Sequence, residues 1–88
     1  MIADIWFEGR VQGVGFRWRT TKIAREFDVS GTVQNLADGR VLLHAEGNER
    51  DVIAFVSAVE DEMKSFIRNV EKTTRPGTGS ARGFSIVG

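Results

Sequence analysis

The stretch Gly9-Arg10-Val11-Gln12-Gly13-Val14-Gly15-Phe16-Arg17 connects a segment typical of a β-strand to one typical of an α-helix. Its last two glycines are separated by one apolar residue, which allows a tight backbone arc with successive N–H groups pointing inward. The helix that follows adds unpaired N–H donors and a partial positive charge at its first turn. Together these features predict an anion-binding loop between the first strand and the first helix.

Arg17 favours phosphate as the anion. A cation in the first helical turn is unfavourable because the macrodipole already makes that end positive, and a bound phosphate compensates for this. Two other glycine loops do not fit: a Walker A loop requires Lys-Ser or Lys-Thr where Phe16 and Arg17 stand, and a dinucleotide fingerprint requires a small residue in place of Trp18. A plain tight connection between strand and helix remains the alternative.

Along the whole chain, the spacing of apolar residues predicts five strands and two helices. Residues 3–9 alternate between apolar and polar, as in a half-buried strand, and apolar residues from Phe16 to Phe27 share one helical face, with the helix ending at Asp28. The other predicted elements are a strand over 31–36, a hairpin turn at Asp38-Gly39, a strand over 41–47, a helix capped by Asn48 and Asp51, a strand near 66–73, a glycine-rich loop over 75–82 and a short strand at 84–86.

The order β-α-β-β-α-β followed by a short C-terminal strand is the split βαβ, or ferredoxin-like, pattern of α+β proteins. Both helices are then expected to cover one face of an antiparallel sheet, forming a two-layer sandwich. The 88 residues contain no internal repeat and no linker-like segment, so the sequence predicts a single domain over residues 1–88.

Composition narrows the range of functions. The chain has no cysteine and one histidine, which excludes thiolate metal sites, and we expect neither a metal nor a cofactor. It begins without a basic, apolar leader and has no apolar run long enough to span a bilayer, so we expect a cytoplasmic protein without membrane association. The net charge of zero argues against nucleic-acid binding. Five basic against two acidic residues over 1–25 would steer a small anion towards the glycine loop.

Asn35 is a second candidate for chemistry. Counting by two along the predicted strand places it on the same inward face as Val33, near the strand end, where the glycine loop comes within reach. Asn is uncommon inside strands, so a functional reason for its presence is plausible. The alternative is a turn residue that supports the Asp38-Gly39 hairpin.

The glycine loop over 9–17, joined to residues 31–39 and closed by Glu46-Gly47, resembles the acylphosphatase family. The resemblance implies a ferredoxin-like fold and metal-free hydrolysis of a small-molecule acyl phosphate to a carboxylate and phosphate. It further implies that Arg17 and Asn35 are catalytic, with Asn35 orienting the attacking water. The phosphate-binding residues that it implies are Gln12, Gly13, Val14, Gly15 and Phe16 through their backbone amides, together with the side chain of Arg17.

The resemblance weakens after residue 50. Many relatives have a segment rich in glycine and proline between the second helix and the fourth strand, whereas residues 61–66 contain neither. Thr32 stands where many relatives carry an aromatic residue, and Asp28 stands where many carry glycine. None of these positions matches a catalytic residue, so the departures bear on stability and substrate preference.

Two other functions fit the same order of elements. One is a non-catalytic module that binds acyl or carbamoyl phosphate without hydrolysing it, and turnover distinguishes it from an enzyme. The other is an RNA-binding domain, whose third strand should carry basic and aromatic residues for base stacking. Residues 40–44 read Arg-Val-Leu-Leu-His and have no such aromatics. We therefore expect an acyl phosphate hydrolase with no nucleic-acid partner. We also expect the protein to be a monomer.

Overall fold

The computed structural model describes residues 1–77 and 82–88. Residues 78–81 of the predicted glycine-rich loop lie outside the described residues. The elements in chain order are β1 (Ile2–Gly9), α1 (Phe16–Ala24), β2 (Val29–Asn35), β3 (Val41–Gly47), α2 (Glu49–Met63), β4 (Ile67–Arg75) and β5 (Phe84–Ile86). This order confirms the predicted ferredoxin-like arrangement of five strands and two helices.

The five strands form one sheet in the order β4-β1-β3-β2-β5. The first four strands pair antiparallel, as predicted, with Trp6 opposite Leu42 at the centre of the sheet. The short β5 instead runs parallel to β2, with Gly31 opposite Phe84, so the complete sheet is mixed. The parallel pairing places the residues after β5 beside the end of β2, which carries Asn35.

The core lies between the two helices and one face of the sheet. Alternate residues of β1, β2 and β3 point into it, and each helix contributes one apolar face, as the periodicity predicts. Phe7, Phe16 and Phe55 are the largest completely enclosed side chains. Phe7 packs against Phe16, and Phe55 packs against Phe27 and Phe84. The buried apolar residues are Ala3, Ile5, Phe7, Val11, Phe16, Ala24, Val33, Val41, Leu43, Ala45, Val52, Phe55, Val56, Val59 and Met63.

The first helix is shorter than predicted. It ends at Ala24, and the N–H groups of Arg25, Glu26 and Phe27 bond to carbonyl groups three residues earlier. The chain therefore tightens into 3₁₀-type turns before β2 begins, a common way to satisfy the last carbonyl groups of a helix. The predicted helix end at Asp28 is thus wrong by four residues, although Phe27 still packs against the core.

The second helix begins as predicted. The Asn48 side chain accepts a hydrogen bond from the N–H of Asp51 at 2.9 Å, which caps the first turn of α2. The helix runs to Met63, and the N–H of Phe66 bonds to the Met63 carbonyl before β4 starts. Within the described residues, neither helix has the length and apolar character needed to cross a membrane.

The helix-free face of the sheet carries an ion cluster. Asp4 Oδ1 lies 2.6 Å from His44 Nδ1, and Arg75 Nη1 donates to Asp4 Oδ2 at 2.7 Å. Burial of Asp4 raises the pKa of its carboxyl group, but the hydrogen bonds with Arg75 and His44 and the attraction of their charges together outweigh burial. The pKa of Asp4 therefore lies below its ordinary value.

Candidate active site

The glycine loop leaves the sheet at a β-bulge. The pairing of β1 with β4 shifts by one residue between Glu8 and Gly9, and the Arg10 N–H donates to the Phe66 carbonyl at 2.9 Å. Gly9 has a φ of 135°, and a Cβ there would lie 2.4 Å from the Phe66 carbonyl oxygen. Only glycine fits at this position, so the bulge fixes where the loop starts.

The two later glycines of the loop take left-handed backbone conformations. Gly13 has a φ of 79° and Gly15 a φ of 80°, values that L side chains rarely adopt. Gly15 is also the N-cap of α1, where no described side chain caps the helix and its first turn contains no acidic residue. The first N–H groups of α1 are thus available to an anion, and the helix dipole favours its binding.

Two buried side chains hold the loop at its ends. Val11 is completely enclosed, and Phe16, which is 2% exposed, packs its ring against Phe7 with a centroid distance of 4.9 Å. Because the Phe16 side chain faces the core, only its backbone can take part in anion binding. The loop is therefore anchored in the core at both ends, as a preorganised site requires.

Arg17, the second residue of α1, is held by Gly88, the second residue after β5. Its Nη1 donates to the Gly88 carbonyl oxygen at 2.8 Å. A guanidinium group has five N–H donors in a planar fork, so this contact orients the group while leaving donors for a ligand. No local sequence pattern indicates this contact, because it depends on β5 running parallel to β2.

Asn35 is the last residue of β2 and lies on the inward face with Val33, as predicted. It lines a cavity of about 150 Å³ together with Arg17 and both left-handed glycines of the loop. The structure thus brings together Gly13, Gly15, Phe16, Arg17 and Asn35 from the set of predicted site residues, and it adds Val11 and Trp18. Gln12 and Val14 are not among the residues that line this cavity.

Gln12 has a role that sequence reasoning missed. Its Nε2 donates to the Leu36 carbonyl at 2.8 Å and to the Arg40 carbonyl at 3.0 Å. These two carbonyls belong to the turn between β2 and β3, directly after Asn35. The Gln12 side chain therefore ties the glycine loop to the segment that carries Asn35.

The turn after Asn35 is itself well ordered by hydrogen bonds. Arg40 donates to Asp38 from its backbone N–H at 3.0 Å and from Nε at 2.8 Å. The backbone hydrogen bond, followed by the side-chain bond, lowers the pKa of the exposed Asp38 carboxyl group below its ordinary value. The Leu36 N–H and the Arg40 carbonyl close the hairpin at 2.8 Å. Asn35 thus stands directly before a turn that is closed by hydrogen bonds.

The residues that the structure describes contain no set of side chains suited to bind a metal ion. No group of three or more His, Asp or Glu side chains comes together there to hold an ion. The site offers donors and an amide: backbone N–H groups, the Arg17 guanidinium and the Asn35 side chain. Such a set recognises a phosphoryl group.

The acylphosphatase family model matches residues 3–86, which include the loop, Arg17 and Asn35. The chain belongs to the acylphosphatase family. An acylphosphatase of Lacticaseibacillus paracasei is 38% identical over 87 residues, covering 97% of this chain and 94% of that protein. Family membership confirms the prediction made from the two motifs.

Solved structures agree with the fold. The crystal structure of an acylphosphatase from Bacillus subtilis superposes with a TM-score of 0.86 at 34% identity and covers 99% of both chains. The chain is also similar to part of T. kodakarensis HypF, with a TM-score of 0.82 at 33% identity, where the match covers all of this chain and 12% of HypF. The acylphosphatase fold therefore occurs both in chains of this length and within a much longer protein.

Proposed function

We propose that this protein hydrolyses acyl phosphates to a carboxylate and inorganic phosphate. The observation that carries the proposal is the convergence of Arg17, Asn35 and the left-handed glycines on one cavity in an acylphosphatase fold. Its relatives of similar length bear the name acylphosphatase. The prediction from sequence and the comparisons thus agree on the reaction class.

The chemistry requires little beyond positioning. A water oxygen attacks phosphorus, the bond from phosphorus to the acyl oxygen breaks, and the carboxylate leaves with the electron pair. A carboxylate is the conjugate base of an acid with a pKa of about 4, so it needs little help from a general acid. Phosphoryl transfer depends mainly on alignment and on stabilising charge on the equatorial oxygens.

We assign the loop amides and Arg17 to the phosphoryl group. The guanidinium fork matches two phosphoryl oxygens, and its hydrogen bond to Gly88 holds it in one orientation. The free N–H groups at the start of α1 stabilise the charge that develops on these oxygens. The amides of Gln12 and Val14 remain part of this prediction, although those residues do not line the cavity.

We assign Asn35 to the attacking water. Its carbonyl oxygen accepts a hydrogen bond from water, while its NH₂ group donates either to the water or to the phosphoryl group. Because the Asn35 backbone is fixed in β2 opposite Val41, its amide can hold a water in one direction. All these groups come from one chain, so we propose that the monomer is active. Activity per chain that does not change on dilution would support this.

Hydrolysis of benzoyl phosphate in EDTA tests the assignment. We expect turnover in the wild type, near-complete loss in Arg17→Ala and a fall of about 10²- to 10³-fold in Asn35→Ala, as for the loss of one preorganised hydrogen-bonding group. Arg68→Ala and Asn69→Ala are matched controls, since both residues are exposed on β4. Equal losses in the controls would show that the effect is not specific to the site.

The second candidate is a binding module without turnover. The similarity to a small part of HypF favours keeping it, because there the same fold lies within a longer protein. An inactive wild type that inorganic phosphate still protects against urea unfolding would support this candidate. Turnover that survives both substitutions would contradict the roles of Arg17 and Asn35.

A further inference from the structure

Trp18 is a large apolar side chain left in solvent at the edge of the candidate site. It follows Arg17 directly in α1 and is 60% exposed, more than any other large apolar residue of the described chain. An aromatic residue in this position provides a rigid contact surface, because only two side-chain angles must be fixed on binding. Apolar side chains scattered singly over a surface need no explanation, but the position of Trp18 beside the candidate site indicates a function.

The same residue connects the candidate site to a neighbouring groove. Trp18 lines the cavity of about 150 Å³ that contains Arg17 and Asn35, and it also lines a groove of about 500 Å³ between α1 and the end of α2. The other residues of this groove are Arg19, Lys22, Ile23, Glu26 and Glu62. We call it the Trp18 groove. A ligand whose phosphate occupies the cavity therefore meets Trp18 where it leaves the loop.

The volumes of the cavity and of the Trp18 groove determine which part of a ligand each can hold. Pockets that enclose a whole small molecule measure about 300–1,000 Å³. The cavity at the loop is smaller than this range. It has room for the phosphoryl group and the attacking water, while the acyl group of a substrate must extend past the loop. The Trp18 groove is the adjoining space on the side of α1.

The Trp18 ring is held in place on one face. Lys22 lies one helical turn later, and its ammonium group sits 4.4 Å from the ring centroid. This cation–π contact between residues i and i+4 orients the indole without covering it. Since Trp18 remains 60% exposed, much of its side chain is open to a ligand.

The charges of the Trp18 groove cancel. Arg19 Nη1 lies 3.7 Å from Glu62 Oε2, the Lys22 ammonium lies against the Trp18 ring, and Glu26 is the remaining acidic residue. Two cations and two carboxylates leave no excess charge to attract an anionic acyl group. A neutral aromatic or apolar acyl group loses no hydration of its own charge there and gains contact with the indole.

We propose that Trp18 binds the acyl group and makes the enzyme prefer acyl phosphates with a neutral aromatic or extended apolar acyl group. This inference rests on the proposed function, because it concerns the non-phosphate part of the same substrate. Trp18 takes no part in the bond that breaks. Its effect is on substrate preference, and the loss of a contact made equally in the ground and transition states raises KM rather than lowering kcat.

Substrate preference gives the first test. The ratio of kcat/KM for benzoyl phosphate to that for acetyl phosphate should fall roughly 3- to 10-fold in Trp18→Ala, the range expected for one lost aromatic contact, with most of the change in KM. Trp18→Phe should retain part of the preference. Ile53→Ala, which removes an exposed apolar side chain from α2, is the matched control and should keep the wild-type ratio. An unchanged ratio in Trp18→Ala would overturn the proposal.

Tryptophan fluorescence gives a second test that needs neither turnover nor a folded Trp18 variant. The chain has two tryptophans, so Trp6→Phe leaves Trp18 as the only one. Benzoylphosphonate, which is not hydrolysed, should change the Trp18 emission, whereas inorganic phosphate should change it much less. Equal responses to both ligands would overturn the acyl contact. If the wild type hydrolyses neither substrate, the proposed function fails, while the fluorescence result still decides whether Trp18 binds the acyl group.

Discussion

Replacing Gln12 by methionine tests whether the glycine loop and Asn35 act as one unit. The change keeps the side-chain length but removes the donor that binds the Leu36 and Arg40 carbonyls at 2.8 and 3.0 Å. Each such bond contributes about 0.5–1.5 kcal/mol net, and at an exposed position the two together should contribute about 1 kcal/mol. We therefore expect the free energy of unfolding in urea to fall by about that amount.

The same change should reduce turnover more than the number of lost contacts suggests. If the lost ~1 kcal/mol had stabilised the alignment of the loop with Asn35 in the transition state, kcat for benzoyl phosphate falls about 5-fold. If the loop and Asn35 also shift by about 1 Å relative to each other, kcat falls by about 100-fold. Gln12→Glu keeps the shape but turns a carboxylate towards two carbonyl oxygens, so its kcat should be lower still. A Gln12→Met protein with wild-type kcat and wild-type stability would refute the reasoning.

Three further predictions concern single groups. Arg17→Lys should not restore the turnover lost in Arg17→Ala, because an ammonium cannot replace a planar fork of donors; a fully active lysine variant would contradict this. Thr20 is completely buried with no partner for its hydroxyl among the described residues, so Thr20→Val should raise the free energy of unfolding by about 1 kcal/mol. Thr21→Val, which loses a hydrogen bond to the Arg17 carbonyl, is the control and should not stabilise the protein. The lowered pKa of Asp4 means that its contribution to stability is present above about pH 4, its unfolded value, and is lost as pH falls through the lower folded value. Asp4→Asn should therefore destabilise the protein at pH 6 more than at pH 3 in urea unfolding, and an equal effect at both pH values would argue against the Asp4 ion cluster.

The elements that sequence predicts well are those determined by local periodicity. The alternation along residues 41–47 and the Asn48 cap depend on neighbours in the chain, and both lie where they were expected. The end of α1 was missed because the apolar face continues to Phe27, which packs against the core from a 3₁₀-type turn. Periodicity alone does not distinguish these two conformations.

Residues of the candidate site can be predicted where their own type and position carry a signal. Arg17 beside a glycine loop and Asn35 at a strand end each carry a local signal. The hydrogen bonds of Gln12 to the hairpin and of Arg17 to Gly88 join segments 24 or more residues apart, so no local pattern indicates them. The position of Trp18 between two cavities likewise depends on tertiary packing, because helical spacing only shows that Trp18 lies off the buried face.

The hydrogen bond from Arg17 to Gly88 makes one part of the site depend on the order of the last strand. β5 has three residues and is attached to β2 through bonds such as that of the Val87 N–H to the Val33 carbonyl at 3.0 Å. Although Phe84 packs against the core, the other two residues of β5 are exposed, and short edge segments open locally at a smaller free energy than the whole protein. Each such opening frees the guanidinium while the core stays folded. The fraction of molecules with an oriented arginine is therefore determined by the local opening equilibrium of β5, which amide hydrogen exchange at Val87 would measure, and not by global stability.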